Sequence, residues 1–221
     1  RHVATADLGL MVDVDVPWIP IETPEDPETY WAHIDVDVVK EDFPIWGFPS
    51  NMRLRGDSFL ILEQLLEAVK RRLTPAYRVE AAARTETISR EHHERLSVIA
   101  GLAADKGSMG RINPQFVCAE LGKAIGSDAL VVNEGVTHAA AIMNQILRTM
   151  PGSYLFQAGG ALGSSAGTAL GAKLANPGRD VIQFVGDGAF AFGNPSSVYS
   201  VAKQYHLPIF TIVLDNSGWK A

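Results

Sequence analysis

A chain of 221 residues with 47% apolar side chains is long enough to bury a sizeable core and to hold one or two domains. Its formal charge of −6, with acidic and basic residues interspersed, excludes the basic stripe that neutralises phosphate backbones, so no nucleic acid partner is expected. The single cysteine, Cys118, cannot form an internal disulfide, and no leader pattern opens the sequence, so an intracellular, cytoplasmic or organellar, protein is expected.

Leu8 to Val16 and Trp31 to Val38 are near-continuous apolar runs, the pattern of parallel strands buried on both faces. The acidic loop between them, Glu22 to Glu28, reads as solvated surface. Asp57 is placed to cap a helix over Ser58 to Leu73, with Phe59, Leu62, Leu65, Leu66 and Val69 on one side. Residues 74–112 are rich in Ala, Arg, Glu and Ser and are expected to be a linker with helical stretches but no strand. Within it His92 and His93 point to different sides of a helix, which argues against a metal site.

A second block opens with Asn113-Pro114, a cap followed by proline at the first helical position, and a helix to about Ile125. Cys118 in that helix reads as core rather than nucleophile. A strand is expected at Ala129 to Asn133, a helix from Thr137 to about Met150, and a strand at Ser153 to Gln157. The glycine-rich loop that follows leads into an Ala/Gly helix to about Leu174, and Thr149 to Ala172, though uncharged, is too polar to span a membrane. DVIQFV is the next strand, Asn194-Pro195 caps a helix to about Tyr205, and Pro208 to Leu214 is the last strand. Strands alternating with helices give an α/β fold with doubly wound parallel sheets, whose ligands sit outside the carboxyl ends of the strands.

At one such end stands Gly186-Asp187-Gly188-Ala189, and at the next Asp215-Asn216. The loose dinucleotide fingerprint G-x-G-x-x-G/A matches here, but the helix cap at Asn194 lies several residues later, and an aspartate between the glycines would repel a diphosphate. A divalent cation removes that conflict. Magnesium takes few protein oxygens and completes its octahedron with phosphate and water. Asp187, Asn216 and a backbone carbonyl of Ser217 or Gly218 would supply three ligands. Taken singly, Asp187 and Asn216 are ordinary turn formers; their spacing by one strand-helix-strand unit raises the joint reading.

GDG followed by Asp215-Asn216 less than 30 residues later, together with VNEGVTHAAAIMNQIL and PGSYLFQAGGALGSSAGTALGAKLANPGRDVIQFVGDG, resembles the thiamine diphosphate enzymes of the acetolactate synthase and benzoylformate decarboxylase group. ADLGLMVDVDV and HIDVDV are similar to the second half of that group's central domain. The resemblance implies part of a Rossmann-like central domain over 1–73, a linker over 74–112 and a thiamine diphosphate and Mg2+ domain over 113–221 that stops short at its C-terminus. The family's asparagine at the first motif position is Asp215 here, and the loop after GDG is about two residues longer than usual. Neither departure touches the presumed ligands.

Carried over residue by residue, the resemblance assigns cofactor contacts to Val136, Thr137, Gly160, Leu162, Gly186, Asp187, Gly188, Ala189, Asn216, Gly218, Trp219 and Ala221, with metal ligation by Asp187, Asn216 and Gly218. Val136 and Thr137 would take diphosphate oxygens, Gly160 the cofactor's 4'-amino group, and Leu162 would hold the bent conformation. Trp219, Lys220 and Ala221 would close over the diphosphate, and His138 is a candidate substrate contact, while Glu134 reads as structural. The glutamate that activates the cofactor in this family lies in an N-terminal domain outside this sequence, so a catalytic residue cannot be named. The implied chemistry is cleavage or formation of the C–C bond next to the carbonyl of a 2-oxo acid, in a homodimer or homotetramer with the site between subunits. FAD in the central domain is compatible with the resemblance but indicated by no residue. Two alternatives stand beside this one: a dinucleotide-dependent oxidoreductase, and a non-catalytic homologue lacking the activating glutamate.

Overall fold

The computed structural model describes residues 2–43, 45–156 and 161–218. The chain divides into two compact units, Arg1–Thr85 and Glu86–Ala221, each with its own parallel sheet.

In the first unit, β1 (Leu8–Val12), β2 (Tyr30–Asp35) and β3 (Met52–Arg55) lie in that order. Both expected strands are present but shorter. Asp13 leaves β1 with a left-handed φ of 47°, and the Asp35 side chain accepts the N–H of Asp37 at 2.9 Å, turning the chain out of β2. β3 is a strand that the sequence did not announce; its MRLR has no apolar run and all four residues are exposed. Nor is β1 buried on both faces: Leu8 and Leu10 are exposed, whereas Gly9 and Met11 are buried. Gly9 is required by close approach, because a Cβ there would sit 2.0 Å from the Trp31 ring.

β2 carries an ionic cluster out of water. Lys40, 5% exposed, donates from Nζ to Asp35 at 2.8 Å and to Asp15 at 2.7 Å. His33 is fully buried, lies 3.6 Å from Asp35 and stacks on Trp46 at 5.1 Å between centroids; neither ring nitrogen has a hydrogen-bond partner among the described residues. α1 (Ser58–Arg72) begins at the expected cap, the Asp57 carboxylate accepting the N–H of Leu60 at 3.1 Å. No α1 residue is buried, so the apolar side read from the sequence is not covered among the described residues.

The boundary between the units falls within α2 (Pro75–Leu102), a continuous helix of 28 residues where a linker with helical stretches was expected. No glycine or second proline interrupts it before Gly101, and its Ala, Arg and Glu residues carry high helix propensity. The expectation of no strand within 74–112 also fails: β4 (Gly107–Ser108) and β5 (Arg111–Ile112) pair antiparallel. Met109 and Gly110, with φ of 52° and 76°, supply the two positive φ angles of a tight hairpin turn.

The second unit holds a four-stranded parallel sheet in the order β7-β6-β8-β9, formed by β6 (Leu130–Glu134), β7 (Tyr154–Phe156), β8 (Val181–Gly186) and β9 (Phe210–Leu214). α3 (Pro114–Ala124) is capped as expected by Asn113, whose side chain accepts the N–H of Gln115 at 2.9 Å. Both faces of the sheet are covered. Val131 and Phe184 pack with Cys118, Ala141, Ile142 and Ile146 on one side; Leu130, Val132 and Val181 pack with Ala169 on the other. Alternate residues thus feed two cores, which is why these strands read as continuous apolar runs.

From β6 the chain passes through α4 (Ala139–Gln145) outward to β7, then returns through α5 (Ser165–Ala175) to β8 on the other side of β6. Connections from the ends of β6 and β8 therefore diverge, opening a crevice between their carboxyl ends at the topological switch point. That crevice holds the candidate site.

Candidate functional site

The cavity at the ends of β6, β8 and β9 is lined by Glu134 to His138, Leu162, Gly186 to Ala189, Leu214 and Asn216. Of the residues singled out in sequence, Val136, Thr137, His138, Leu162, Gly186, Asp187, Gly188, Ala189 and Asn216 are thus brought to one place. Gly160, Trp219, Lys220 and Ala221 lie outside the described residues.

β8 and β9 are hydrogen-bonded neighbours with Gly186 opposite Leu214, which puts Asp187 and the Asp215-Asn216 pair at adjacent strand ends. The Asp187 carboxylate accepts the N–H of Gly218 at 2.9 Å. Partial burial pushes this carboxyl up, but the N–H groups of Gly188 and Gly218, a side-chain hydrogen bond with Asp215 and the Asn216 N–H together hold it below the usual carboxylate range. Asp187 is therefore a preorganised anion at neutral pH. Asp215 accepts the N–H of Ser217 at 2.6 Å, an Asx turn that asparagine forms equally well, so the departure from the family's residue leaves the turn intact. Ser217 takes a left-handed φ of 61°.

The Asn216 amide donates to Thr137 Oγ at 3.5 Å, while its Oδ1 is buried with no hydrogen-bond partner among the described residues. Buried side-chain oxygens are rarely left so, and Asn216 lines the same cavity as Asp187. An ionised carboxylate beside an unsatisfied amide oxygen is a donor set for a hard cation such as Mg2+. The described residues fit the metal.

Three sequence expectations are corrected here. The segment after Gly186 is helical at once: α6 (Asp187–Phe192) starts at Asp187, so a late helix start is no argument against a dinucleotide. α7 (Pro195–Gln204) has proline at its first turn as expected, but Asn194 makes no side-chain cap. Only two residues separate α6 from α7, and the left-handed φ of 51° at Asn194 makes that reversal at the expense of the cap geometry. Thr137 does not open a long helix. Val136–His138 is a 3-10 turn and α4 that follows ends at Gln145, its carbonyl side closed by Ile146 N–H to Ile142.

Glu134, read from the sequence as structural, belongs to the site's framework. It is 1% exposed, and its carboxylate accepts the N–H groups of Ser164 at 3.2 Å and Ser165 at 3.0 Å and the Ser165 hydroxyl. An acid directly after Asn133 at the end of an apolar run was the available signal. Cys118 is fully buried, and burial pushes its thiol up to about 11, in keeping with a core role. Among the described residues no helix is long and apolar enough to cross a membrane, and no three His, Cys, Asp or Glu side chains cluster as metal ligands.

Residues 135–221 match the family described as "Thiamine pyrophosphate enzyme, C-terminal TPP binding domain". The chain is 32% identical over 173 residues, 78% of its length and 29% of the relative's, to benzoylformate decarboxylase of Pseudomonas aeruginosa. It is 31% identical over 142 residues to a probable acetolactate synthase of Mycobacterium bovis, covering 64% of this chain and 24% of that one. The chain therefore spans less than a third of the length of these relatives. In fold it is similar to a structure from Mycobacterium smegmatis described as a thiamin diphosphate-dependent enzyme, with a TM-score of 0.68 at 20% identity over 97% of this chain and 38% of that one. Residues 135–221, with Asp187 and Asn216 at the switch point of a doubly wound sheet, thus carry the C-terminal TPP binding domain of the thiamine pyrophosphate enzymes.

Proposed function

We propose that residues 113–221 bind thiamine diphosphate through Mg2+ and that the protein uses it to break or form the C–C bond next to the carbonyl of a 2-oxo acid. The observation that carries the metal half is the orphaned Oδ1 of Asn216, a residue that lines the same cavity as the ionised Asp187. Asp187, Asn216 and a Gly218 carbonyl are assigned to Mg2+, Val136 and Thr137 to the diphosphate, and Leu162 to the underside of the ring system. When bound, thiamine diphosphate supplies a carbon nucleophile and a sink for the electrons released at the carbonyl carbon.

The chain's own groups do the positioning. Val136 and Thr137 stand exposed on the 3-10 turn after β6 and line the cavity, with Thr137 Oγ accepting from the Asn216 amide. Leu162 is half-buried and presents an apolar surface across the same cavity. His138, partly buried at the rim, is assigned a substrate contact. The active assembly is proposed to be a homodimer or homotetramer, with the activating glutamate supplied from outside residues 1–221.

Calorimetric titration with thiamine diphosphate tests the binding: saturable binding with Mg2+ and none after EDTA is expected. CO2 release from pyruvate and from benzoylformate by the full-length protein tests the reaction. Release from neither, with cofactor bound, would remove the 2-oxo acid reading and leave the binding intact.

A further inference from the structure

β6 is buried along its whole length, ending in Asn133 and Glu134 at 0% and 1% exposure. A carboxylate so far from water must be hydrogen-bonded or neutralised. Glu134 meets this requirement 30 residues ahead in the chain. The N–H groups of Ser164 and Ser165 that it accepts are those at the start of α5, where the Ser164 side chain provides no cap and instead donates to the Ala161 carbonyl at 3.1 Å. Glu134 thus caps α5 from a different strand.

Its orientation is in turn held by a line of side chains. The Ser165 hydroxyl accepts from Gln183 Nε2 at 2.7 Å, and Gln183 Oε1 accepts from Thr211 at 2.9 Å, so the line crosses from β9 through β8 to α5 and ends on β6. Ser165 and Gln183 are 1% and 2% exposed. A hydroxyl that accepts from Gln183 has its one proton left for Glu134, so the carboxylate selects the direction of the whole line.

Both walls of the cavity depart from this carboxylate. Gly135 to His138 follow Glu134 covalently, and Leu162 precedes the two N–H groups that Glu134 holds. Between Leu162 and that anchor stands Gly163 in a left-handed φ of 84°, where a Cβ would meet the Gly193 backbone at 3.0 Å, so this wall has little room to shift. We infer that Glu134 is a positioning residue that sets the span between the Val136–Thr137 turn and Leu162, and so matches the cavity to a ligand that must touch both. The inference rests on the thiamine diphosphate reading, in which the turn takes the diphosphate and Leu162 the rings.

The test compares two probes in the full chain, each with Mg2+. Inorganic pyrophosphate engages the turn and the cation but not Leu162; thiamine diphosphate needs both walls at the right separation. Glu134→Gln keeps the shape but turns one acceptor into a donor facing an N–H, and Glu134→Asp shortens the reach by one methylene. Both are expected to weaken thiamine diphosphate on the order of 10- to 100-fold while pyrophosphate affinity stays within about 2-fold, as for other supporting-shell substitutions. Ser165→Ala, which leaves the two N–H bonds to Glu134, is expected to move the ratio of the two affinities the same way by less, and covers the case in which a Glu134 variant does not fold. Equal loss of both probes in these variants, or wild-type affinity for both, would overturn the positioning role. Failure of the wild-type chain to bind thiamine diphosphate while it binds pyrophosphate would instead overturn the cofactor reading itself.

Discussion

The Asp187 carboxylate accepts the backbone N–H of Gly218 at 2.9 Å, joining the first residue after β8 to the turn after the neighbouring β9. One carboxylate oxygen is thereby engaged with the loop that carries the other presumed cation ligands.

Asp187→Ala is accordingly expected to remove Mg2+-dependent cofactor binding, by more than about 100-fold for a directly ligating group. The cooperative unfolding of the second unit should be retained, because Asp187 lies at the cavity and not in either core. Titration calorimetry and far-UV melting measure the two effects. Unchanged thiamine diphosphate affinity would exclude Asp187 as a metal ligand.

Asn216 gives the opposite signature in the metal-free protein. Its buried Oδ1 has no partner among the described residues, a condition that costs about 1–3 kcal/mol when nothing compensates it. Asn216→Ala should therefore leave metal-free stability unchanged or slightly raised while abolishing the stabilisation that Mg2+ and cofactor confer. Denaturant unfolding with and without both ligands separates the two outcomes, and a large loss of metal-free stability would contradict the orphaned oxygen.

In the first unit, stability should fall as the solution is acidified below about pH 6.5. Burial lowers the pKa of His33, with Lys40 and Arg53 adding to it against the opposing pull of Asp35. A folded pKa below the unfolded one means the unfolded chain binds more protons, so the stability of neutral His33 is present above the unfolded pKa and is lost as pH falls beneath it. Asp35 adds to the acid side: burial pushes it up, but the Asp37 N–H and Lys40 hold it down, so its contribution disappears only as pH falls through its lowered value. Lys40 is raised by Asp15 and Asp35 in spite of burial, and its contribution is lost at alkaline pH. Melting curves from pH 8 to 5 should show the decline in the wild type and a flatter profile in His33→Phe, which keeps a ring against Trp46.

Phe184 is the largest fully buried side chain of the second unit and packs with Cys118, Val131 and Ile142. Phe184→Ala should cost about 3–5 kcal/mol in denaturant unfolding. A loss below about 1 kcal/mol would mean that the sheet is not the core of this unit.

Much of the second unit was legible in the sequence because its local signals agree. Apolar runs between Gly, Pro and Asn punctuation gave β6, β8 and β9 within a residue or two, and the Asn113-Pro114 pair marked the start of α3. The spacing of Asp187 and Asn216 placed them one crossover apart, and parallel pairing of β8 with β9 made that neighbourhood real. What only the tertiary structure decided depends on partners distant in the chain. β3 has no apolar pattern of its own and is a strand because β2 offers it an edge. The short α6 is set by the two-residue reversal at Gly193-Asn194 that follows it, and the place of Glu134 in the cavity lining by carboxylate acceptors satisfied from α5. Such choices are made by hydrogen-bond satisfaction in a buried place, and burial is a property of the assembled chain that no window of sequence carries.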